Sequence, residues 1–211
     1  MTLLARREGM STSDFRSYWG GPHAKLALGM AGICRYVQNR VDKVLWCDGG
    51  HPVFCADGIV ELFFASEEAM GDAQGSRIGS RHIPQDEPNF LKGWTLCIVD
   101  TQLEAAEVLP TKVMVPFLRT ADGGRDRLAT VLARAAQAAS LHVGLDWTAT
   151  TARRPALWTE PHPPMGCITL WYPGVAAAHD AFDEASGSLR RALAPELEGA
   201  TAYLVDALRL R

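Results

Sequence analysis

The segment Gly58-Ile59-Val60-Glu61-Leu62-Phe63-Phe64 returns at an offset of 108 as Gly166-Cys167-Ile168-Thr169-Leu170-Trp171-Tyr172. Both copies read as strands, rich in β-branched and aromatic residues behind an opening glycine. Nothing else in the chain restricts its fold as strongly, because a strand repeated at that distance makes the two halves copies of one unit. Carrying the offset back lays a predicted helix over 125–139 on the predicted first helix, 12–29. It also lays a predicted strand over 141–148 on one over 33–40. The first half then reads strand 3–6, helix 12–29, strand 33–39, strand 58–64, helix 66–75 and strand 94–100. The second reads strand 112–118, helix 125–139, strand 141–148, strand 166–172, helix 175–194 with a weak point at Gly187, and strand 202–208. Asp122-Gly123-Gly124 leads into the helix of the second half. Loops are expected at 42–57, 76–93 and 150–164.

One β-α-β-β-α-β unit forms a four-stranded antiparallel sheet with both helices on one face, and leaves the other face bare. Two such sheets in one chain can bury their bare faces against each other. The expected architecture is therefore α+β. Two fused ferredoxin-like units, 1–103 and 110–211, pack their sheets into an α+β barrel. Residues 101–110, with Pro110, form the linker. A monomer or a homodimer of the two-unit chain fits this scheme.

Composition narrows the function classes. Hydrophobic residues make up 47% and charged residues 21% of the 211, as in an ordinary soluble domain. The formal net charge is −3, and no basic patch of the kind that tracks phosphates is present, which speaks against nucleic acid. No apolar run is long enough for a membrane helix and no signal-peptide pattern opens the chain, so a cytoplasmic protein is expected. The five cysteines are odd in number and none falls in a C-x-x-C pair, which argues against a disulfide framework. Cys47-x3-His51-x3-Cys55 is the one metal-like spacing, but zinc sites use closer pairs and four ligands, so no metal is expected. No Gly-rich phosphate cradle appears, so neither NAD nor ATP is expected.

The stretch 11–24, S-T-S-D-F-R-S-Y-W-G-G-P-H-A, concentrates the unusual chemistry. Ser11 suits a helix N-cap with Asp14 three residues on. An apolar stripe then runs through Phe15, Trp19, His23 and Leu26 at successive helical turns. Gly20-Gly21-Pro22 is expected to break the helix just before His23. A histidine on an inward face is either a core residue with its hydrogen bond satisfied or a group kept for its chemistry. The second-half helix has no aromatic pair and no histidine, so a single site would take its chemistry from the first half and its opposing wall from the second.

Alternation along the strands sorts their faces. Val60, Leu62 and Phe64 suit packing beneath helices, which leaves Ile59, Glu61 and Phe63 for the barrel interior. The offset adds Cys167, Thr169 and Trp171. His142, Gly144 and Asp146 are assigned inward with the aligned Cys34, Tyr36 and Gln38. The expected interior is aromatic with a few polar groups, as small-molecule pockets are.

Several motifs occur together in order: Arg6-Arg7-x-Gly9-Met10-Ser11, then Phe15-Arg16-x-Tyr18-Trp19-x3-His23-Ala24. They continue through Arg35-Tyr36-Val37-Gln38-Asn39, Asp57-Gly58-x2-Glu61-Leu62-Phe63-Phe64 and Asp86-Glu87-x2-Phe90. Over this span the first half resembles the EthD-like branch of the dimeric α+β barrel superfamily. The second half looks like a unit that has lost the F-x3-W-x3-H signature. The resemblance supports the barrel and implies chemistry for His23. Members of the branch are linked to ether degradation and polyketide tailoring. The wider superfamily holds cofactor-free monooxygenases, isomerases, cyclases, decarboxylases and haem-binding enzymes, and fold alone does not choose among them.

The expected function is a cofactor-independent enzyme acting on a small aromatic or polyketide-like substrate by proton transfer, in decarboxylation, dehydration, cyclisation or isomerisation. His23 is the expected general acid/base. Tyr36 and Asn39 would hydrogen-bond a phenol or enolate oxygen, and Glu61 or Asp86 would orient His23 or act as a second base. Phe15, Trp19, Phe63 and Trp171 would form the aromatic walls, and His142, Asp146 and Thr169 the polar ones. A cofactor-free monooxygenase in the same pocket is the first alternative. A haem protein, with His23 or His179 as axial ligand, and a non-enzymatic ligand-binding protein are the others.

Overall fold

The computed structural model describes residues 1–104, 109–121, 124–139 and 141–211. The centre of the expected linker and Asp122-Gly123 lie outside the described residues. Eight strands close into one barrel around a shared interior. In the first half these are β1 (Thr2–Arg6), β2 (Ile33–Cys47), β3 (Gly58–Phe64) and β4 (Leu91–Leu103). In the second they are β5 (Thr111–Phe117), β6 (His142–Ala152), β7 (Gly166–Tyr172) and β8 (Thr201–Arg209). Around the barrel they run β4-β1-β3-β2-β8-β5-β7-β6 and back to β4, every pair antiparallel. Each half thus lays its four strands down in the same spatial order. A short ribbon pairs Arg119–Thr120 with Leu197–Glu198 beside the barrel.

The sheets do more than stack their bare faces. Their edge strands hydrogen-bond to each other: Val37–Cys47 of β2 pairs with β8, and Leu96–Leu103 of β4 pairs with β6. That is why β2 and β4 run well past their expected ends at 39 and 100. Each continues as long as the other half supplies a ladder for its N–H and C=O groups.

Side-chain alternation divides the barrel wall into an inner and an outer surface. Leu3, Ile59, Met114, Cys167, Tyr203 and Val205 cluster inside, joined by Phe54 from the loop between β2 and β3. Tyr203 Oη donates to Phe54 O at 2.6 Å, which fixes that loop across one end. The alternate residues face outward under helices. Leu4, Tyr36, Val60 and Trp94 pack beneath the first-half helices, and Val113, Leu145, Ile168 and Leu170 beneath those of the second.

Helix α1 (Thr12–Tyr18) is capped as expected, with Ser11 Oγ accepting from Asp14 N at 3.0 Å. Gly20-Gly21-Pro22 does not break it. The chain widens into a π turn over Trp19–His23 and continues as α2 (Ala24–Ala27). A wider turn accommodates Pro22, which lacks an N–H and crowds the preceding turn. Residues 76–93 are not a loop either. After α3 (Glu67–Gly75) comes a second π turn, Ile78–His82, then α4 (Ile83–Asp86) and a 3-10 turn, Glu87–Asn89. In the second half, α5 (Gly124–Ala139) is continuous. The expected helix over 175–194 is split into α6 (Val175–Phe182) and α7 (Ser188–Leu193) around Gly187. Among the described residues no helix is long and apolar enough to cross a membrane.

Candidate active site

Two π turns deliver the central pair. His23 ends the first, and Asp86 closes the single α-helical turn that follows the second. His23 Nδ1 lies 2.8 Å from Asp86 Oδ2. Asp86 Oδ1 accepts from Tyr18 Oη at 2.7 Å, and Asn89 Nδ2 donates to Tyr18 Oη at 3.2 Å. The His23 bond, helped by Tyr18, holds the Asp86 carboxyl below its ordinary value against the opposing effect of burial. Burial, and then Asp86, push the Tyr18 phenol up. Phe90 packs on the imidazole with ring centroids 4.7 Å apart. A carboxylate at Nδ1 selects the tautomer that leaves Nε2 unprotonated, and Nε2 has no hydrogen-bond partner among the described residues.

His23 stands on the wall of a cavity of about 880 Å³. This cavity lies mainly between the first-half helices and the outer face of the sheet. Ala27, Met30, Met70 and Ile83 line it from one side, and Leu4, Val60, Leu62 and Trp94 from the other. It reaches Glu61, Phe63, Thr101 and Asp146 at the barrel end, and Arg154 just beyond β6. The cavity therefore lies under the first-half helices and not in the barrel interior, where the pocket was expected.

The displacement of Tyr36 has a definite cause. Between Ile33 and Arg35 the register of β2 against β3 slips by one residue. Such a bulge reverses the face of every residue after it. Tyr36 and Gln38 therefore face the helices, while Asn39 faces inward. Tyr36 Oη accepts from Gln38 Nε2 at 2.8 Å, and burial pushes its phenol up to about 12. Tyr36 still borders the cavity, from the helix side.

The other expected site residues separate into three groups. Phe15 and Trp19 are fully buried and form a ring cluster with Phe90, so they support the site without offering it a surface. Glu61, Phe63 and Asp146 line the cavity at its barrel end. Glu61 is committed there: Lys112 Nζ donates to its Oε2 at 2.5 Å and Asn39 Nδ2 at 2.7 Å. Burial opposes the charge, but Lys112 outweighs it and the carboxyl lies below its ordinary value. Asp86, not Glu61, orients His23. Burial raises the Asp146 carboxyl, which accepts from Thr101 Oγ1 at 2.6 Å. The third group stays inside the barrel, off the cavity wall. Asn39 is fully buried and spends its amide on Ile59 O and Glu61. Thr169 and Trp171 lie on the inner face of β7, with His142 paired opposite Trp171.

Two cavity groups were not among the expected site residues. Glu87 is 3% exposed, and burial pushes its carboxyl up to about 7 despite Arg154. Arg154 Nε approaches Glu87 Oε2 at 2.9 Å without hydrogen-bond alignment, and its guanidinium lies 4.6 Å from the Trp94 ring centroid. Arg154 stands in a stretch read as a Pro-rich loop, and only closure of β6 on β4 brings it here. Among the described residues no cluster of three His, Cys, Asp or Glu side chains could hold a metal, Cys47, His51 and Cys55 included.

Residues 7–93 match the family model of the EthD domain. The sequence has no match among curated proteins. Among solved structures, the chain is similar to an anthrone oxidase-like protein at 12% identity and a TM-score of 0.65, covering 99% of this chain and 91% of that one. It is also similar to a protein described as a candidate monooxygenase from Lactobacillus acidophilus NCFM, at 6% identity and a TM-score of 0.57, covering 98% and 91%. At such identities the likeness establishes a shared α+β barrel fold.

Proposed function

We propose that the EthD domain formed by residues 7–93 makes this protein an enzyme that takes a proton from a small aromatic or polyketide-like substrate, with His23 as the base. The carrying observation is the His23–Asp86 pair at 2.8 Å on the wall of a cavity large enough for a fused-ring substrate. Asp86 fixes the tautomer and stabilises the imidazolium once Nε2 accepts the proton, and Tyr18 and Asn89 hold Asp86 in place. The Leu, Val and Trp walls keep the resulting carbanion dry, where fixed charges and dipoles act most strongly on it.

The reading favoured here is oxidation by dioxygen without a bound cofactor. An activated methylene loses a proton to His23, and the carbanion gives its electrons to oxygen and forms a C–O bond. Loss of water from the hydroperoxide leaves a ketone. One methylene and one dioxygen thus give one ketone and one water. One oxygen atom stays on the carbon, and the other leaves as water with both methylene hydrogens. The fold shared with an anthrone oxidase-like protein and a candidate monooxygenase supports this choice over a lyase or isomerase, which would use the same base and reprotonate the carbanion. In this reading the chain is two fused ferredoxin-like units, 1–103 and 110–211. The first supplies the base and the second a cationic wall, and the chain works as a monomer or homodimer in the cytoplasm.

Turnover of a hydroxyanthrone, followed by oxygen uptake and by formation of the quinone, tests the proposal. His23→Ala should lower kcat by about 10²–10⁴-fold. Asp86→Asn should lower it less and change its pH profile, because the ring stays but its tautomer is no longer enforced. Turnover without oxygen uptake selects the lyase or isomerase reading. Undiminished turnover in His23→Ala removes the base.

A further inference from the structure

The Glu87–Arg154 pair is a contact that neither partner completes. Both face the cavity that holds His23. Arg154 Nε and Glu87 Oε2 are buried and close, yet neither makes a hydrogen bond. An arginine carries five N–H donors in a planar fork, and the buried Nε of Arg154 makes no hydrogen bond. Its Cζ lies over the Trp94 ring instead, 4.6 Å from the centroid. A guanidinium set against an aromatic ring on a cavity wall can match a carboxylate bidentately. A buried ion pair of poor geometry gains little over two separated groups, so exchange of partners is cheap.

We propose that Arg154 is the receptor for a carboxylate on the substrate, and that the incoming carboxylate replaces Glu87, which takes up a proton as it leaves the pair. The inference rests on the reading of this cavity as the substrate site and narrows the substrate to an anionic, carboxylated aromatic. Its two halves come from different parts of the chain. Glu87 lies in the EthD domain, and Arg154 follows β6 of the second half, so the domain alone lacks the receptor. The neighbouring charges favour the exchange. Asp86 beside Glu87 disfavours a second negative charge, and a carboxyl titrating near 7 accepts a proton readily. His23 is engaged by Asp86, and Lys92 on β4 is engaged by Glu8, so neither offers Glu87 a cation. Arg153, which also lines the cavity, leaves the wall positive once Glu87 is neutral.

Calorimetric titration with 9-anthracenecarboxylate and its neutral carboxamide tests this without requiring turnover. The carboxylate should bind the wild type at least tenfold tighter than the amide. At pH 8 its binding should take up close to one proton, read from the dependence of the heat on buffer ionisation enthalpy. Arg154→Gln should bind both probes equally. Glu87→Gln should keep the preference for the carboxylate and lose the proton uptake. Equal binding of the two probes to the wild type, retention of the preference in Arg154→Gln, or failure of both probes to bind overturns the proposal. Loss of turnover in the oxygen assay with the carboxylate preference intact would instead count against the proton-abstraction reading alone.

Discussion

Glu87 should leave a mark on stability as well as on binding. In the folded protein its carboxyl titrates at about 7, against an ordinary 4.5. Below 4.5 both folded and unfolded chains hold the proton. Between the two values the unfolded chain releases it and the folded chain keeps it, so stability falls as pH rises. Above 7 the loss is complete and on the order of 3 kcal/mol. Glu87→Gln has no proton to lose. It should melt close to the wild type at pH 5 and several degrees above it at pH 8.5, since each kcal/mol is worth roughly 2–4 °C in a chain of this size. Scanning calorimetry at the two pH values measures this, and a difference independent of pH would contradict it. At this scale the sequence was unevenly informative. His23 was legible because Phe15, Trp19 and His23 share one helical face, and that spacing is local. Arg154 was not, because what makes it a site residue is Trp94 and Glu87, both more than fifty positions away in the chain.

The repeated strands show the same limit one level up. Gly58 and Gly166, which open the repeat, are needed for close approach. A Cβ on Gly58 would stand 2.5 Å from the Trp19 ring, and one on Gly166 would stand 2.6 Å from Asp146 O and 2.7 Å from the Phe117 ring. Neither ring can yield without moving its element. Gly58→Ala and Gly166→Ala should each cost about 1–3 kcal/mol in urea unfolding. Only the first should also disturb the His23–Asp86 pair, because Trp19 begins the π turn that ends at His23. Chemical shifts of the His23 ring protons should move in Gly58→Ala and stay in place in Gly166→Ala; the same shift in both would mean that the π turn does not transmit the strain. Strand β3 was readable to the residue, since it lies inside its own half with partners on both sides. The face of Tyr36 was not, because one bulge near Cys34 inverts β2 and no residue type announces it. The π turn was half readable: Gly20-Gly21-Pro22 signalled an irregular helix, but packing against the sheet decided between widening and breaking.

Over the whole molecule, the repeat at 108 led to the expectation of two units, and the closed barrel explains why the two sets of strands stay together. Strands β2 and β4 flank the first half, and both pair along much of their length with the second. Removal of the second half would expose two long edges rich in unpaired N–H and C=O groups, together with the inner face that carries Leu3 and Ile59. A fragment of residues 1–104 has one way to satisfy those groups without denaturing, which is to pair β2 and β4 with the edges of a second copy. It should therefore sediment as a dimer or precipitate, and a stable monomer of half the parent mass would show that barrel closure is dispensable. If the dimer forms, it carries two His23–Asp86 pairs and no Arg154. It should then bind 9-anthracenecarboxylate and its carboxamide equally. The same fragment thus separates what residues 1–104 contribute by themselves, the His23–Asp86 pair, from what the second half adds, Arg154 on the cavity wall.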